Sequence, residues 1–418
     1  MKTLSRALCQ TLPNGLRVVA VPDPSALIAE IRLALPFART RADLTAPMDL
    51  LAACVLRGTK SRDRHAVLRQ AGDLGAELAS SRDSESLLLS ASVLNAGFAG
   101  TLELLADVVT RPAYQNSEVD AAAETTAFTA AGWGSHMQLR RTLLRHRFGC
   151  HPLSADPATP AELFAVTPDD LHLLHTKAIV PVGAVLLVLS STEPTEVLDR
   201  LAELFSSWQG SASSLRLPEL DASTIDDSHV WLAAEPNASA LVATIGPGLP
   251  VSHPEHPALQ LTNLILGGTG SSRLSTRIRQ KLGLAYSVGS SLEDPGAGAW
   301  SSVTVATALG NGPRVLREVA SCMEDLADQG PTQQEVEAAR QFATGFATIG
   351  LSTRAEMASA ATGFILRGLP PDWLCSYFDR VESITVAEVA AAARHWAPGS
   401  HSFGVCDVRE NPAAVEEQ

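Results

Sequence analysis

Two periods organise the apolar positions of this chain. After a Pro13, Asn14, Gly15 turn, residues 15–21 read as a β-rich run, and residues 27–35 read as a second strand. Residues 47–56 are apolar enough for a buried helix, and residues 64–74 carry apolar residues at helical spacing. Residues 84–94 alternate in the manner of a strand, and residues 98–110 and 117–132 return to the helical period. Thr167 is placed to cap a helix with Pro168 at its first position and Asp169 and Asp170 in its first turn. Residues 185–190 then read as a strand.

This plan occurs twice. Leu-Arg-Gly-Thr-Lys-Ser at 56–61 returns as Leu-Gly-Gly-Thr-Gly-Ser at 266–271, and Leu-Gly-Ala at 74–76 returns as Leu-Gly-Leu at 282–284. Glu118-Val119 returns as Glu335-Val336, and Val-Thr-Pro-Asp-Asp-Leu at 166–171 returns as Ile-Thr-Val-Ala-Glu-Val at 384–389. Four matches in order at nearly constant offset predict a duplicated domain. Residues 209–228, rich in Ser, Asp, Gly and Pro, read as the linker. The expectation is therefore an α+β fold of two duplicated domains, residues 1–210 and 225–418, each an antiparallel or mixed sheet with helices on one side.

A chain of 418 residues is long for one core, so composition agrees with two domains. The net charge of −13 argues against nucleic acid as a partner. Only four basic residues are lysines (Lys2, Lys60, Lys177 and Lys281), and with abundant Ala this points to a GC-rich bacterial genome. The six cysteines are dispersed without a C-x-x-C, which fits free thiols in a reducing compartment. The amino-terminal residues hold no long apolar stretch, and the apolar run at 178–189 is too short to span a bilayer. The expectation is a cytoplasmic protein with no membrane partner.

Candidate chemistry is sparse. His172 and His175 share a predicted helix face but lack a completing carboxylate, so they read as solvated. His253 and His256 are interrupted by Pro254, and His146 and His151 straddle Gly149. Gly267, Gly268, Thr269 and Gly270 follow an apolar helix but lack the Lys of a phosphate loop, so they read as a tight turn where backbone approaches a neighbour closely. Arg279 and Tyr286 lie seven apart, with Gly283 between them to end a helix and shorten the distance.

Several segments carry a resemblance. Leu-Pro-Asn-Gly-Leu-Arg at 12–17, Leu-Arg-Gly-Thr at 56–59, Arg-Phe-Gly-Cys-His-Pro at 147–152 and Ile-Leu-Gly-Gly-Thr-Gly-Ser-Ser-Arg at 265–273 are similar to the pitrilysin/insulinase family of zinc peptidases. The most specific is Ile-Arg-Gln-Lys-Leu-Gly-Leu-Ala-Tyr-Ser-Val at 278–288, and the nearest type is that of the mitochondrial processing peptidase. The resemblance implies an inverted H-x-x-E-H zinc motif on the helix before Gly58-Thr59. Here its positions hold Asp49, Ala52 and Ala53, and the third ligand position falls near Thr129 or Glu124. Residues 45–59 contain no His or Glu; Asp49 and Cys54 are the only donors and lie about 140° apart on a helix, too far round to share a metal. The resemblance also implies that Arg279 and Tyr286 face a zinc across a cavity, and that the glycine loop with Arg273 handles substrate. Together these features imply a non-catalytic subunit that binds no cofactor itself. It would lend Arg279 and Tyr286 to a homologous zinc-bearing partner that cleaves peptides; the alternative is a structural scaffold.

Overall fold

The computed structural model describes residues 3–131, 134–211, 215–221, 229–234 and 239–408. The chain forms two compact units. The first comprises Met1–Ala131, Pro157–Leu217 and Ala347–Ser376; the second comprises Gly132–Asp156, Pro218–Phe346 and Tyr377–Gln418. Each unit thus takes a helical segment from the other half of the sequence. Part of the expected linker, residues 212–214 and 222–228, lies outside the described residues.

The first unit holds strands β1 (Leu8–Thr11), β2 (Arg17–Pro22), β3 (Ile28–Pro36), β4 (Gly58–Thr59), β5 (Arg62–Asp63), β6 (Ala76–Arg82), β7 (Ser86–Leu94) and β8 (Val185–Ser190). Six of them form one sheet in the order β1-β2-β8-β3-β7-β6, with β2 and β8 parallel and the other neighbours antiparallel. The second unit holds β9 (Val230–Ala233), β10 (Ala240–Pro247), β11 (Ala285–Glu293), β12 (Trp300–Thr307) and β13 (Ser402–Asp407). Their order is β11-β12-β10-β13-β9, with only β13 and β9 parallel. Read backwards, this order and its one parallel pair match the first sheet without β1, so the α+β duplication expected from the repeats is present in the strands themselves.

The repeated motifs fold alike. Gly75 and Gly283 both adopt the left-handed region, at φ of 66° and 61°, and each leads a helical segment into an edge strand. Thr167 and Thr385 each accept a bond from the amide three residues on, while Asp170 and Glu388 reach back to the cap.

Both faces of β3 are buried, which requires cover on both sides. Ile31, Leu33 and Leu35 belong to the apolar core with Met48, Leu50 and Leu51 of the Thr45–Cys54 helix. Glu30 and Arg32, on the alternate positions, pair at 2.9 Å. Above them lies the Arg354–Leu366 helix from the far end of the chain, packed on β3 and β8. Its Ser359 hydroxyl accepts from Arg32 Nε at 2.9 Å, and Ser92 donates to Glu30 at 2.6 Å. In the second unit the Ser135–Phe148 helix covers β10 and β13 in the corresponding way. Gly404 makes that approach possible, since a Cβ there would lie 2.9 Å from Leu139. Among the described residues no helix is long and apolar enough to cross a membrane.

Candidate functional site

In the first unit, the expected metal positions lie on the Thr45–Cys54 helix. Asp49 accepts from the Arg82 guanidinium at the end of edge strand β6, in a pair about four-fifths buried. Ala52 and Ala53 carry no donor and rest against the core, and the Ala52 carbonyl accepts from Ser80 Oγ at 2.9 Å. Burial pushes the Cys54 thiol up to about 11, and its Sγ donates to the Glu118 carbonyl at 3.6 Å. On the Asn116–Ala131 helix, Glu124 and Thr129 are exposed, while Glu118 is paired with Arg57 and Arg64 at 3.5 and 3.4 Å. Among the described residues no three His, Cys, Asp or Glu come together as a metal would need. A guanidinium stands against Asp49, and the donor set does not fit zinc.

In the second unit, the glycine segment is a π-helical turn, Leu264–Gly268, running into a loop. Gly267 is required by close approach: a Cβ there would meet Ser290 Oγ at 2.7 Å and Ser290 N at 2.9 Å on β11. Ser290 Oγ in turn donates to Asn263 Oδ1 at 2.7 Å, so the turn is fastened to the strand. Gly268 is tight against Asn263 and Leu264, whereas Gly270 faces open space. The Thr269 hydroxyl bonds back to the Leu264 carbonyl at 3.4 Å. Arg273 is engaged elsewhere. Its Nε and Nη2 donate to Glu335 at 2.7 and 2.9 Å and Nη2 also reaches the Gly330 carbonyl, and these bonds hold the Glu335 carboxyl down at about 2.

Arg279 lies in a second π-helical turn, Ser275–Lys281. Gly283 then reverses the chain and starts β11, which brings Tyr286 back beside it. The Arg279 guanidinium carbon lies 5.9 Å from the Tyr286 ring centroid, within range of a cation–π contact. Tyr286 is 87 % exposed. Arg279 meets no carboxylate, and the Tyr286 hydroxyl no partner, among the described residues. The two donors expected to act together are therefore neighbours and unengaged by side-chain hydrogen bonds or ion pairs.

Four histidines are buried in contacts within the fold. His175 is buried, not solvated: its Nε2 donates to the Val109 carbonyl at 2.9 Å and its Nδ1 accepts from the Tyr114 hydroxyl at 2.7 Å. His256 is buried against the Tyr377 hydroxyl at 3.0 Å, and His151 bonds the Pro218 carbonyl at 3.0 Å. Ser301 and His401 lie 3.1 Å apart, but both are sealed in the interior and unable to reach a substrate.

Two family descriptions match successive parts of the chain: residues 49–160 match Insulinase (Peptidase family M16), and residues 165–342 match Peptidase M16 inactive domain. The chain belongs to peptidase family M16, the insulinase and pitrilysin family. An uncharacterised zinc protease of Mycobacterium leprae is 26 % identical to this M16 chain over 357 residues, 83 % of this chain and 80 % of that protein. A Helicobacter pylori protein called non-peptidase homolog YmxG is 25 % identical over 125 residues, 30 % of this chain and 29 % of that one. The crystal structure of a peptidase M16 inactive domain from Pseudomonas fluorescens has the same fold, with a TM-score of 0.86 at 18 % identity over 97 % of this chain and 98 % of the other.

Proposed function

We propose that this M16 chain is the non-catalytic, substrate-binding subunit of a heterodimeric zinc peptidase. A homologous partner with intact H-x-x-E-H would supply the metal, and this chain would be inactive alone. The observation that carries the reading is an asymmetry. The metal-ligand positions of the first unit are Asp49, Ala52 and Ala53, with Asp49 paired to Arg82. Arg279 and Tyr286 of the second unit, in contrast, are adjacent, solvent-facing and, among the described residues, free of competing side-chain hydrogen bonds and ion pairs.

Their chemistry suits peptide hydrolysis. A Tyr286 hydroxyl donates to the oxyanion that develops as the carbonyl carbon becomes tetrahedral, and the Arg279 guanidinium holds a neighbouring substrate carbonyl by two parallel N–H groups. Among the described residues strand β11, in which Tyr286 lies, pairs on one side only, with β12. Its open edge offers main-chain donors and acceptors to an extended peptide.

The test is co-expression with a zinc-bearing M16 homologue from the same genome, then peptide cleavage by each chain alone and by both. Turnover only in the mixture, lowered about 100-fold by Tyr286→Phe with partner affinity unchanged, is the expected result. Cleavage by this chain alone overturns the reading. A second reading, a scaffold without a proteolytic role, is favoured by the partial match to a non-peptidase homolog. It predicts a complex whose peptide turnover ignores substitution at Arg279 and Tyr286.

A further inference from the structure

A groove of about 140 Å³ opens in the second unit between the Leu264–Gly268 turn and the first turns of the Gln333–Gly350 helix. Leu264, Ile265, Ala338, Ala339 and Phe342 give it an apolar wall, and the hydroxyl residues Thr269, Ser271 and Ser272 also line it. The one carboxylate at its rim, Glu335, is held by Arg273 in a two-bond pair, so the rim presents no free charge. Outside it, Phe342 stacks on Phe346 at 5.7 Å with the rings 10° apart, and both are exposed, at 42 % and 63 %. Residues 341–350 of that helix contain no charged side chain in a chain whose net charge is −13. The wall turn is fastened to β11 through Gly267 and Ser290, so the groove adjoins the strand whose outer edge is open.

We infer that this groove is a side-chain subsite that takes one apolar residue, of leucine or phenylalanine size, from an extended peptide. The inference rests on the peptide-binding reading above and adds a residue class to it. The occupant follows from charge and shape together. A charged side chain would lose hydration against Leu264, Ile265 and Phe342 and find no opposite charge in return, only the neutral hydroxyls of Thr269, Ser271 and Ser272 and an ion pair already closed. A branched or aromatic side chain would fill the space and extend the Phe342 and Phe346 stack. Arg273, expected from the sequence to bind substrate, acts here as a positioning residue: it fixes Glu335 and thereby the mouth of the groove.

The experiment measures dissociation constants by fluorescence anisotropy for the full chain. The probes are a labelled uncharged peptide with one central Leu and the same peptide with Ser there. The Leu peptide should bind about tenfold more tightly, the difference expected for one aliphatic side chain in an apolar pocket. Ala338→Trp, at an exposed position, should fill the groove and erase that ratio while leaving the Ser peptide and the melting temperature unchanged; Phe346→Ser should reduce the ratio more mildly. Equal affinity for the two peptides, or a ratio indifferent to Ala338→Trp, overturns the subsite and leaves peptide binding standing. Binding of neither peptide overturns both.

Discussion

Acid should destabilise this protein between about pH 6.5 and 4, because three histidines are buried in the neutral form. Burial first of all depresses His175 and His256 to about 4 and His401 to about 3. Nearby His172, His253 and Arg147 push the same way for the respective residues, while the bonds to the Val109 and Ala397 carbonyls and the charge of Asp294 oppose the shift. In the unfolded chain each returns to about 6.5. The unfolded state then binds more protons between roughly pH 6.5 and 4, so stability falls as pH falls through that window and levels off below the folded values. From pH 8 to pH 5 the loss is about 2 kcal/mol per histidine, two of the three being in the second unit. That is a large share of a typical 5–15 kcal/mol. Urea unfolding followed by circular dichroism at pH 8, 6.5 and 5 measures it. His256→Gln should remove about one third of the slope. A midpoint that does not move between pH 6.5 and 5 would refute the reasoning, since carboxylates such as Glu335, held near 2, titrate only below this window.

Arg32→Met should cost about 3–5 kcal/mol by stranding the Glu30 carboxylate under the Arg354–Leu366 helix, and adding Glu30→Leu should recover much of it; thermal melts of the single and double variants decide. Gly267→Ala should destabilise by about 1–3 kcal/mol because its Cβ meets the β11 backbone, whereas Gly270→Ala, facing open space, should be neutral in the same melts. Arg82→Ala should cost about 1 kcal/mol; metal analysis of that variant should still find no stoichiometric zinc, and one tightly held zinc per chain would contradict the account of the site.

Much of the fold was legible because burial follows period. The runs at β2, β3, β7 and β8 and the helices at 64–74, 98–110 and 117–132 emerge within a few residues of their expected limits. Strand β6 was not, since Ala-Glu-Leu-Ala-Ser-Ser-Arg is an edge sequence of small and polar residues without a clear apolar face. The Ser135–Phe148 helix was missed because its arginines suggest solvent. Only the sheet beneath it explains why Arg147 is buried and bonded to the Ile245 and Ser400 carbonyls. At the candidate site, residue type alone shows the missing donors at Asp49, Ala52 and Ala53. The Arg82 counter-charge comes from a strand 33 positions away and has no local signal. His175 could have been placed correctly: Leu171, Leu174, His175 and Ala178 form one helical stripe, and all four are buried.

The exchange of helices between the two halves of the sequence has a biosynthetic consequence. Strands β1 to β8 have all been synthesised once residue 190 is added, yet the cover for β3 and its Arg32 waits for residues 354–366. At ordinary elongation rates that interval is on the order of ten seconds or more, during which a twice-flanked sheet shows one bare side. A gene cut at the midpoint therefore yields two fragments, each missing its own lid and carrying the other's.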